Sequence, residues 1–286
     1  MRASSSTNPN RRSLAWLASL LAMGAFSGCS CDGASDDDGA GGGASDGSGT
    51  PSGSTGSFTT GTGGAGTGTG PGSGSGGGLC GTNLTGTIRD FHATHPDFEA
   101  FLGDDPGIVL GDLGSDGKPV YAGQAGNPTT TGQADFDQWY RDVAGVNLNA
   151  PFTLTLTPAG GTVFSYSNSA FFPIDDQLFG NEGNVHNYHF TFELHTKFLY
   201  SGGETFSFTG DDDLFTFING KLAIDLGGVH GAESQSVDLD ARAAELGISP
   251  GNIYPLDFFF AERHTSESNF RIDTSLSFVD CGTPPE

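Results

Sequence analysis

The chain is poor in positive charge. Its 286 residues include 11 Lys and Arg against 34 Asp and Glu, so its formal net charge is −23 at pH 7. A chain with this charge is repelled by phosphate backbones and anionic lipid surfaces, and it attracts divalent cations. The composition therefore argues against nucleic-acid binding and makes a cation a reasonable partner.

The chain also lacks a long apolar run near its start. The apolar segment at residues 14–23 is too short to span a bilayer comfortably, and it follows Arg2, Arg11 and Arg12. A basic region followed by a short apolar segment is the order of parts in a secretory signal peptide. We therefore predict that residues 1–28 direct export.

This segment ends in Phe26-Ser27-Gly28-Cys29, which resembles a bacterial lipobox with Phe26 in place of the usual Leu. The resemblance implies that Cys29 carries the lipid, and that Ser30, which is not acidic, directs the protein to the outer membrane. We expect a lipoprotein displayed at the cell surface that contacts the membrane only through its anchor. Cleavage and secretion without a lipid is the alternative.

Apolar residues are nearly absent from residues 29–79, which consist mostly of Gly, Ser, Thr and Asp. Such a composition cannot bury a core, so a flexible tether is predicted. The predicted organisation is a signal peptide at 1–28, a tether at 29–79 and one folded domain at 80–286.

Cysteine is scarce, with four residues at positions 29, 31, 80 and 281. Cys80 stands at the end of the tether and Cys281 follows the last strand-like segment, so the two bracket the predicted domain. In an exported protein such a pair is expected to form a disulfide, and two unrelated thiols is the alternative. The sequence offers no account of Cys31.

Trp and Met are rare, at two residues each, whereas Phe is abundant at 23 residues. Phe favours strands and buries a large area, so these counts indicate an all-β core. Strand-like segments separated by turn signals occur at residues 84–89, 152–156, 163–166, 188–195, 206–227, 254–262 and 270–278. We predict an antiparallel β-sandwich, jelly-roll-like, with two or three short helices at residues 95–102, 134–143 and 238–246.

The segment 188–195 alternates cleanly between apolar and polar residues. Tyr188, Phe190, Phe192 and Leu194 are expected on one face of a strand. The other face carries His189, Thr191, Glu193 and His195. The His and Glu side chains of this face could be interpreted as metal ligands, but an exposed polar sheet face is the simpler interpretation.

The segment 206–227, FSFTGDDDLFTFINGKLAIDLG, is the centre of the predicted domain. Asn219-Gly220 lies between two strand-like runs and predicts a type I′ hairpin turn, in which both residues need φ > 0. Before the hairpin stand Asp211, Asp212 and Asp213. Three adjacent carboxylates at a strand boundary are tolerated in a solvated acidic loop or around a hard cation.

The runs GDDDLFTFINGKLAIDLGGVHGAES and LDFFFAERHTSESNFRIDTSL, and more weakly TGTIRDFHATHPDFE, resemble the bacterial fibro-slime family. This family is a branch of the carbohydrate-binding β-sandwich domains first named from anthrax protective antigen. The resemblance is strong over about the last hundred residues, so it covers the predicted centre of the domain.

The resemblance implies a calcium site. In the family an Asp pair joined by a cis peptide bond holds the ion, and here that pair falls on Asp211 and Asp212. A later loop, here residues 263–269, adds backbone carbonyls and a side chain for which Asn269 is the candidate, with Asn219 as a competitor. Calcium takes six to eight oxygen ligands, so positions remain for two hydroxyls of a sugar.

Five further residues are candidates for contacting a ligand around the ion. They are Asp213, His230, Glu262, Arg263 and His264. The last four lie with Glu233 in the motifs GGVHGAES and FFFAERHT, where they could form a second ligand set or a salt-bridge network between loops. The network is the interpretation favoured here.

Three functions are therefore open. The leading hypothesis is a non-enzymatic, calcium-dependent module that binds a glycan or an extracellular polysaccharide for adhesion. The second is a structural matrix protein whose calcium rigidifies loops. The third is a glycosidase using Glu262 with Asp213 or Glu233, because such enzymes need paired carboxylates.

Overall fold

The computed structural model describes residues 81–123 and 128–282. The predicted signal peptide, Cys29, the tether and Cys80 lie outside the described residues, so those predictions stand as they are. Within the described part, no helix is both long enough and apolar enough to span a bilayer.

The described residues form fourteen strands and two helices. The first strands are β1 (Asn83–Phe91), β2 (Gly103–Asp104), β3 (Asn147–Thr155), β4 (Thr157–Gly160), β5 (Val163–Asn168), β6 (Phe190–Tyr200) and β7 (Thr205–Gly210). The others are β8 (Asp213–Ile218), β9 (Lys221–Leu226), β10 (Gly228–Val229), β11 (Glu233–Asp238), β12 (Asn252–Glu262), β13 (Phe270–Thr274) and β14 (Ser277–Asp280). The helices are α1 (Gln133–Phe136) and α2 (Leu239–Leu246).

The strands pair in antiparallel fashion into two main sheets. One has seven strands in the order β3-β1-β6-β12-β8-β9, with β14 also paired to β6. The other has five strands in the order β11-β7-β13-β5-β4, and β2 and β10 form a separate pair. The predicted all-β, antiparallel fold class is confirmed.

Phenylalanine fills the core between the sheets, as its abundance predicted. Phe258 and Phe260 of β12 face Phe208 of β7 and Phe270 of β13. The ring centroids of Phe208 and Phe270 lie 5.2 Å apart, and those of Phe260 and Phe270 also 5.2 Å apart. Edge-to-face packing of this kind adds stabilisation beyond the burial of apolar area.

A second apolar cluster covers the other face of the seven-stranded sheet. Phe259 of β12 and Phe215 of β8 point away from the first core and pack with Phe136, Trp139 and Tyr140. Both faces of this sheet are therefore buried, which explains why the segment 256–261 is almost continuously apolar.

The helix predicted at 134–143 is wrong beyond its first turn, because α1 ends at Phe136. The Asn147 side chain donates to the carbonyl oxygens of Gln138 and Arg141 at 3.2 and 2.9 Å. Those carbonyls thus find partners outside a helix. The aromatic residues still pack against the sheet, as the pattern indicated.

The helix predicted at 95–102 is also wrong, because this segment consists of turns. Glu99 has a positive φ of 61°, and its N–H donates to the Arg263 carbonyl at 2.9 Å. The predicted third helix is confirmed as α2. Asp238 caps it by accepting from the Ala241 N–H, and Gly247 ends it in the left-handed region with φ 66°.

The polar face of β6 is not the exposed face that was expected. His189, Thr191 and Glu193 are buried, and only His195 is well exposed. Arg89 and Lys118 both form ion pairs with Glu193. His189 contacts Glu99, and the Thr191 hydroxyl donates to the Trp139 carbonyl. The interpretation as an exposed sheet face is therefore wrong for these three residues, because other segments of the chain cover them.

Candidate functional site

The candidate site lies where the chain crosses twice between the two sheets. Residues 211–212 connect β7 of the five-stranded sheet to β8 of the seven-stranded sheet, and residues 263–269 connect β12 to β13. Because β7 pairs with β13 and β8 pairs with β12, the two crossings lie side by side. On one side of the two connections Gly210 pairs with Phe270, and on the other side Asp213 pairs with Ala261.

Gly210 lets the two crossings approach closely. A Cβ atom at this position would lie 2.2 Å from the Asn269 carbonyl oxygen. The peptide bond between Asp211 and Asp212 that follows is cis, as the resemblance implied. The hairpin that comes next is also as predicted, with positive φ at Asn219 (54°) and Gly220 (73°).

The three consecutive carboxylates are buried. Asp211, Asp212 and Asp213 are 3 %, 5 % and 0 % exposed. The alternative of a solvated acidic loop is therefore wrong, and each carboxylate needs a partner because an unpaired buried charge is strongly unfavourable.

Asp211 is held by Asn269. The Asn269 backbone N–H donates to Asp211 Oδ1 at 2.5 Å, and its side-chain Nδ2 donates to Asp211 Oδ2 at 2.8 Å. The amide nitrogen thus faces Asp211, and Oδ1 remains as the Asn269 atom suited to a cation. The competing candidate, Asn219, donates its Nδ2 to the Leu246 carbonyl at 2.9 Å and so belongs to the hairpin.

Asp213 forms a fully buried ion pair with Arg263. Arg263 Nε donates to Asp213 Oδ2 at 2.5 Å, and Nη2 donates to Oδ1 at 3.1 Å. The Gly228 N–H also donates to Asp213 Oδ1 at 2.7 Å. The remaining guanidinium donors reach the carbonyl oxygens of Asp97 and Thr129. For Arg263 this geometry favours the predicted salt-bridge network between loops, and its partner there is Asp213.

Asp212 and Glu262 lie next to this ion pair but have no basic side chain within ion-pair distance among the described residues. Asp212 Oδ2 accepts from the Arg263 backbone N–H at 2.9 Å. Burial, together with the charge of Asp213, raises the pKa of Asp212 to about 7. Burial raises the pKa of Glu262 well above its usual value, and Asp212 adds to the effect.

Asp211 and Asp212 open onto a cleft of about 360 Å³. Its lining consists of Leu102, Asp211, Asp212, Val229, His230, Gly231, His264, Ser266 and Glu267. Two of the predicted surrounding residues, His230 and His264, therefore line the cleft. Asp213, Glu262 and Arg263 lie behind it.

Two of the lining residues, Ser266 and Glu267, were not singled out in the sequence. Both fall in the 263–269 loop that the resemblance implicated, but Ser and Glu in a loop carry no distinctive signal. Glu99 was also missed, although its carboxylate accepts from the Thr265 N–H at 2.7 Å and so holds the loop. That role depends on a contact between residues 166 positions apart.

The donor atoms fit a hard cation such as calcium. Carboxylate oxygens of Asp211 and Asp212, Oδ1 of Asn269 and nearby backbone carbonyls are the ligand types that calcium prefers. Among residues 81–123 and 128–282, no group of three or more His, Cys, Asp or Glu side chains is arranged to hold a metal. A cation here would thus depend on the amide and on carbonyls in addition to the two carboxylates.

The proposed glycosidase pairs receive no support from this geometry. The Asp213 carboxylate is bound to Arg263, and neither Asp213 nor Glu262 lines the cleft. Glu233 lies exposed at the start of β11. A glycosidase needs two carboxyl groups that flank the substrate in an open site.

Comparison with known proteins gives one family match. Residues 174–285 match the PA14 domain model. This range includes the Asp triad and the 263–269 loop. It supports the coarser resemblance to the protective-antigen type, and assignment to the fibro-slime branch stays a prediction.

Curated relatives come from Dictyostelium discoideum. Protein psiR is 44 % identical over 202 residues, which are 64 % of this chain and 20 % of the relative. Protein psiD is 41 % identical over 213 residues, which are 68 % of this chain and 42 % of the relative. The chain thus spans less than half the length of these relatives.

Two PA14 domains are among the solved structures that the comparison matched. The PA14 domain of the MpAFP antifreeze protein is 10 % identical, with a TM-score of 0.31 over 72 % of this chain and 94 % of that one. The PA14 sugar-binding domain from an RTX adhesin is 8 % identical, with a TM-score of 0.30 over 70 % of this chain and 96 % of that one.

Proposed function

We propose that residues 80–286 form a calcium-dependent carbohydrate-binding module. One observation carries the proposal: Asp211 and Asp212 are buried carboxylates that line a cleft, and among the described residues neither forms an ion pair with a Lys, Arg or His side chain, although His230 and His264 line the same cleft. The nearby guanidinium of Arg263 already forms an ion pair with Asp213. A divalent cation would supply the missing positive charge.

The residues present would bind the cation and leave room for a ligand. Asp211, Asp212 and Asn269 would hold it, and the cation would accept hydroxyl groups of a sugar as further ligands. Polar atoms of the cleft wall would then contact the rest of that sugar. His230 is one candidate, because its Nε2 has no hydrogen-bond partner among the described residues.

The location of the function is part of the proposal. A lipid on Cys29 and a tether at 29–79 would display the module at the cell surface, where binding to a polysaccharide gives adhesion. The resemblance to carbohydrate-binding domains and the PA14 match support the binding role. A structural matrix role for a calcium-stabilised domain remains the second candidate.

The test is a calorimetric titration of calcium into the full chain, followed by retention on polysaccharide columns with calcium or with a chelator. The double variant Asp211→Asn/Asp212→Asn should lose calcium binding and retention. The matched control is Asp112→Asn/Asp116→Asn, whose side chains are 67 % and 51 % exposed on another loop. We expect this control to behave like the unmodified protein.

The outcomes separate the candidates. Calcium binding with calcium-dependent retention supports the proposal. Calcium binding that raises the melting temperature without retention on any column favours the structural role. Absence of calcium binding at millimolar concentration rules out both, because then the two carboxylates have some other means of neutralisation.

A further inference from the structure

A second cleft lies on the other side of the 263–269 loop. It has a volume of about 460 Å³ and shares Ser266 and Glu267 with the cleft at Asp211 and Asp212. Its lining consists of Ser169, Phe172, Val185, His186, Tyr188, Ser266, Glu267, Ser268 and Asn269. The candidate cation ligand Asn269 lines this second cleft, and its Nδ2 donates to Asp211 Oδ2 of the first cleft at 2.8 Å.

Three aromatic rings form one wall of the second cleft. Phe172 and His186 stack with their centroids 4.0 Å apart and their planes 7° from parallel. Tyr188 packs edge-on against Phe172, at 4.9 Å and 76°. Tyr188 is buried, whereas Phe172 and His186 are half-buried, and none of the three belongs to either apolar cluster of the fold.

Hydrogen bonds hold this wall in place. The Asp175 carboxylate bonds to His186 Nδ1 at 2.7 Å, and it accepts from the Asn187 N–H at 2.8 Å. Val185, next along the chain, is nevertheless 79 % exposed. A fixed aromatic wall with an exposed apolar side chain beside it is a surface prepared for contact with a ligand.

We propose that this second cleft binds a sugar ring adjacent to the one held at the cation, so that the ligand is an oligosaccharide of at least two units. This inference rests on the proposed function. A pyranose ring has an apolar C–H face, which would pack on Phe172 and Tyr188, and polar edges. Ser169, Ser266, Glu267 and Asn269 supply hydrogen-bonding groups around the rings.

The shared loop and the charge of the site select this occupant. Ser266 and Glu267 line both clefts, so a ligand that contacts these two residues borders each cleft. Glu267 and the net charge of −23 disfavour an anionic ligand. A neutral chain of sugar units satisfies both conditions.

The test compares sugars of different length in millimolar calcium. The probes are methyl glycosides of mannose, galactose and glucose, and the disaccharides of the same sugars, titrated into the full chain. The variants are Phe172→Ala and Val185→Asp, which places a charge at an exposed position without opening the fold. The matched control is Phe164→Ala, since Phe164 is half-buried and lines a different cleft.

We expect the unmodified protein to bind a disaccharide roughly three- to tenfold more tightly than its methyl glycoside, the gain expected from one aromatic contact. Phe172→Ala and Val185→Asp should each remove this gain in affinity and leave the affinity for the methyl glycoside unchanged. Phe164→Ala should retain the gain. Equal affinity for both lengths, or a gain that survives both variants, would overturn the second subsite. If Phe172→Ala lowered the affinity for the disaccharide and for the methyl glycoside equally, Phe172 would only support the loop, and the second subsite would also be overturned.

The Asp211→Asn/Asp212→Asn variant distinguishes this inference from the proposed function. Loss of all sugar binding in that variant supports both. Disaccharide binding that persists there, and still depends on Phe172, overturns the cation's role and leaves the aromatic subsite. If the unmodified protein binds none of the probes, the second subsite is overturned. The calcium titration then tests the cation site independently of any sugar.

Discussion

Buried carboxylates in this fold differ in what neutralises them. Asp213 is paired with Arg263, whose guanidinium also stacks over Trp139 at 4.7 Å. Glu193 contacts Arg89, Lys118 and His195. No comparable basic group reaches Asp211 or Asp212 in the described part of the chain. The buried Asp90 and Asp105 are likewise held by neutral donors, Asn187 and Thr129, so a second feature distinguishes the candidate site: Asp211 and Asp212 line a cleft.

The His195 network predicts a pH dependence of stability. Burial lowers the pKa of His195, but its hydrogen bonds to Asp257 and Glu193 outweigh burial and raise it to about 9. An unfolded histidine has a pKa of about 6.5, so the folded state binds this proton more tightly. The stabilisation is thus fully present below pH 6.5 and is lost as the pH rises through 9.

We therefore expect the melting temperature to fall between pH 6.5 and 9 for the unmodified protein. The His195→Gln variant should show a flatter profile over that range, because it cannot bind the proton. The control is His92→Gln, whose side chain is 45 % exposed in a different ion pair. An identical slope in the His195 variant would contradict the assignment.

At the scale of elements, the site is a product of two neighbouring sheet crossings. β7 and β8 are adjacent in sequence but lie in different sheets, and the same is true of β12 and β13. Their antiparallel partners bring the two connections together, with the Asp211 N–H also donating to the Asn269 carbonyl at 3.3 Å. Residues almost sixty positions apart thus share one cleft.

Gly210 is predicted to control this approach. In Gly210→Ala, the added Cβ would lie 2.2 Å from the Asn269 carbonyl oxygen and 2.6 Å from the Phe208 ring. We expect a loss of about 1–3 kcal/mol in the free energy of unfolding, typical of overpacking, together with weaker calcium binding. Chemical denaturation and calcium titration of the same variant measure the two effects.

The control for this variant is Gly231→Ala in the cleft lining. A Cβ at Gly231 would have no atom within 4 Å, so stability should be unchanged. If Gly210→Ala were as stable as Gly231→Ala and bound calcium normally, close approach of the crossings would not be needed for the site.

For the whole molecule, the two ends of the described domain meet. The Thr85 N–H at the start of β1 donates to the Cys281 carbonyl oxygen at 2.7 Å, just after β14. This contact places Cys281 near the point where the chain enters the domain. It is consistent with the predicted Cys80–Cys281 disulfide, which stays a prediction because Cys80 lies outside the described residues.

Closure of the domain by this disulfide predicts a large effect on stability. In the chain-entropy model, a crosslink closing about 200 residues stabilises the fold by roughly 5 kcal/mol. The Cys80→Ser/Cys281→Ser variant should therefore unfold at a clearly lower denaturant concentration. Cys31→Ser serves as the control, and equal midpoints for the paired variant and the control would contradict the disulfide.

Local patterns predicted the local structure well where short-range chemistry decides it. The Asn219-Gly220 turn was confirmed, and so was the third predicted helix, which the structure has as Leu239–Leu246. The helix at 95–102 was wrong because the Glu99 N–H bonds across to Arg263. No helical pattern can report such a long-range partner.

The sequence by itself determined the all-β core, through its abundance of Phe in alternating segments, and marked the run Asp211, Asp212 and Asp213 as unusual; the family resemblance pointed to the first two. Only the tertiary structure decided that these carboxylates are buried, that Arg263 pairs with Asp213 and not with them, and that Asn269 lies beside Asp211. The physical reason is that alternation and turn preferences act over a few residues. Burial and charge pairing depend on which strands become neighbours.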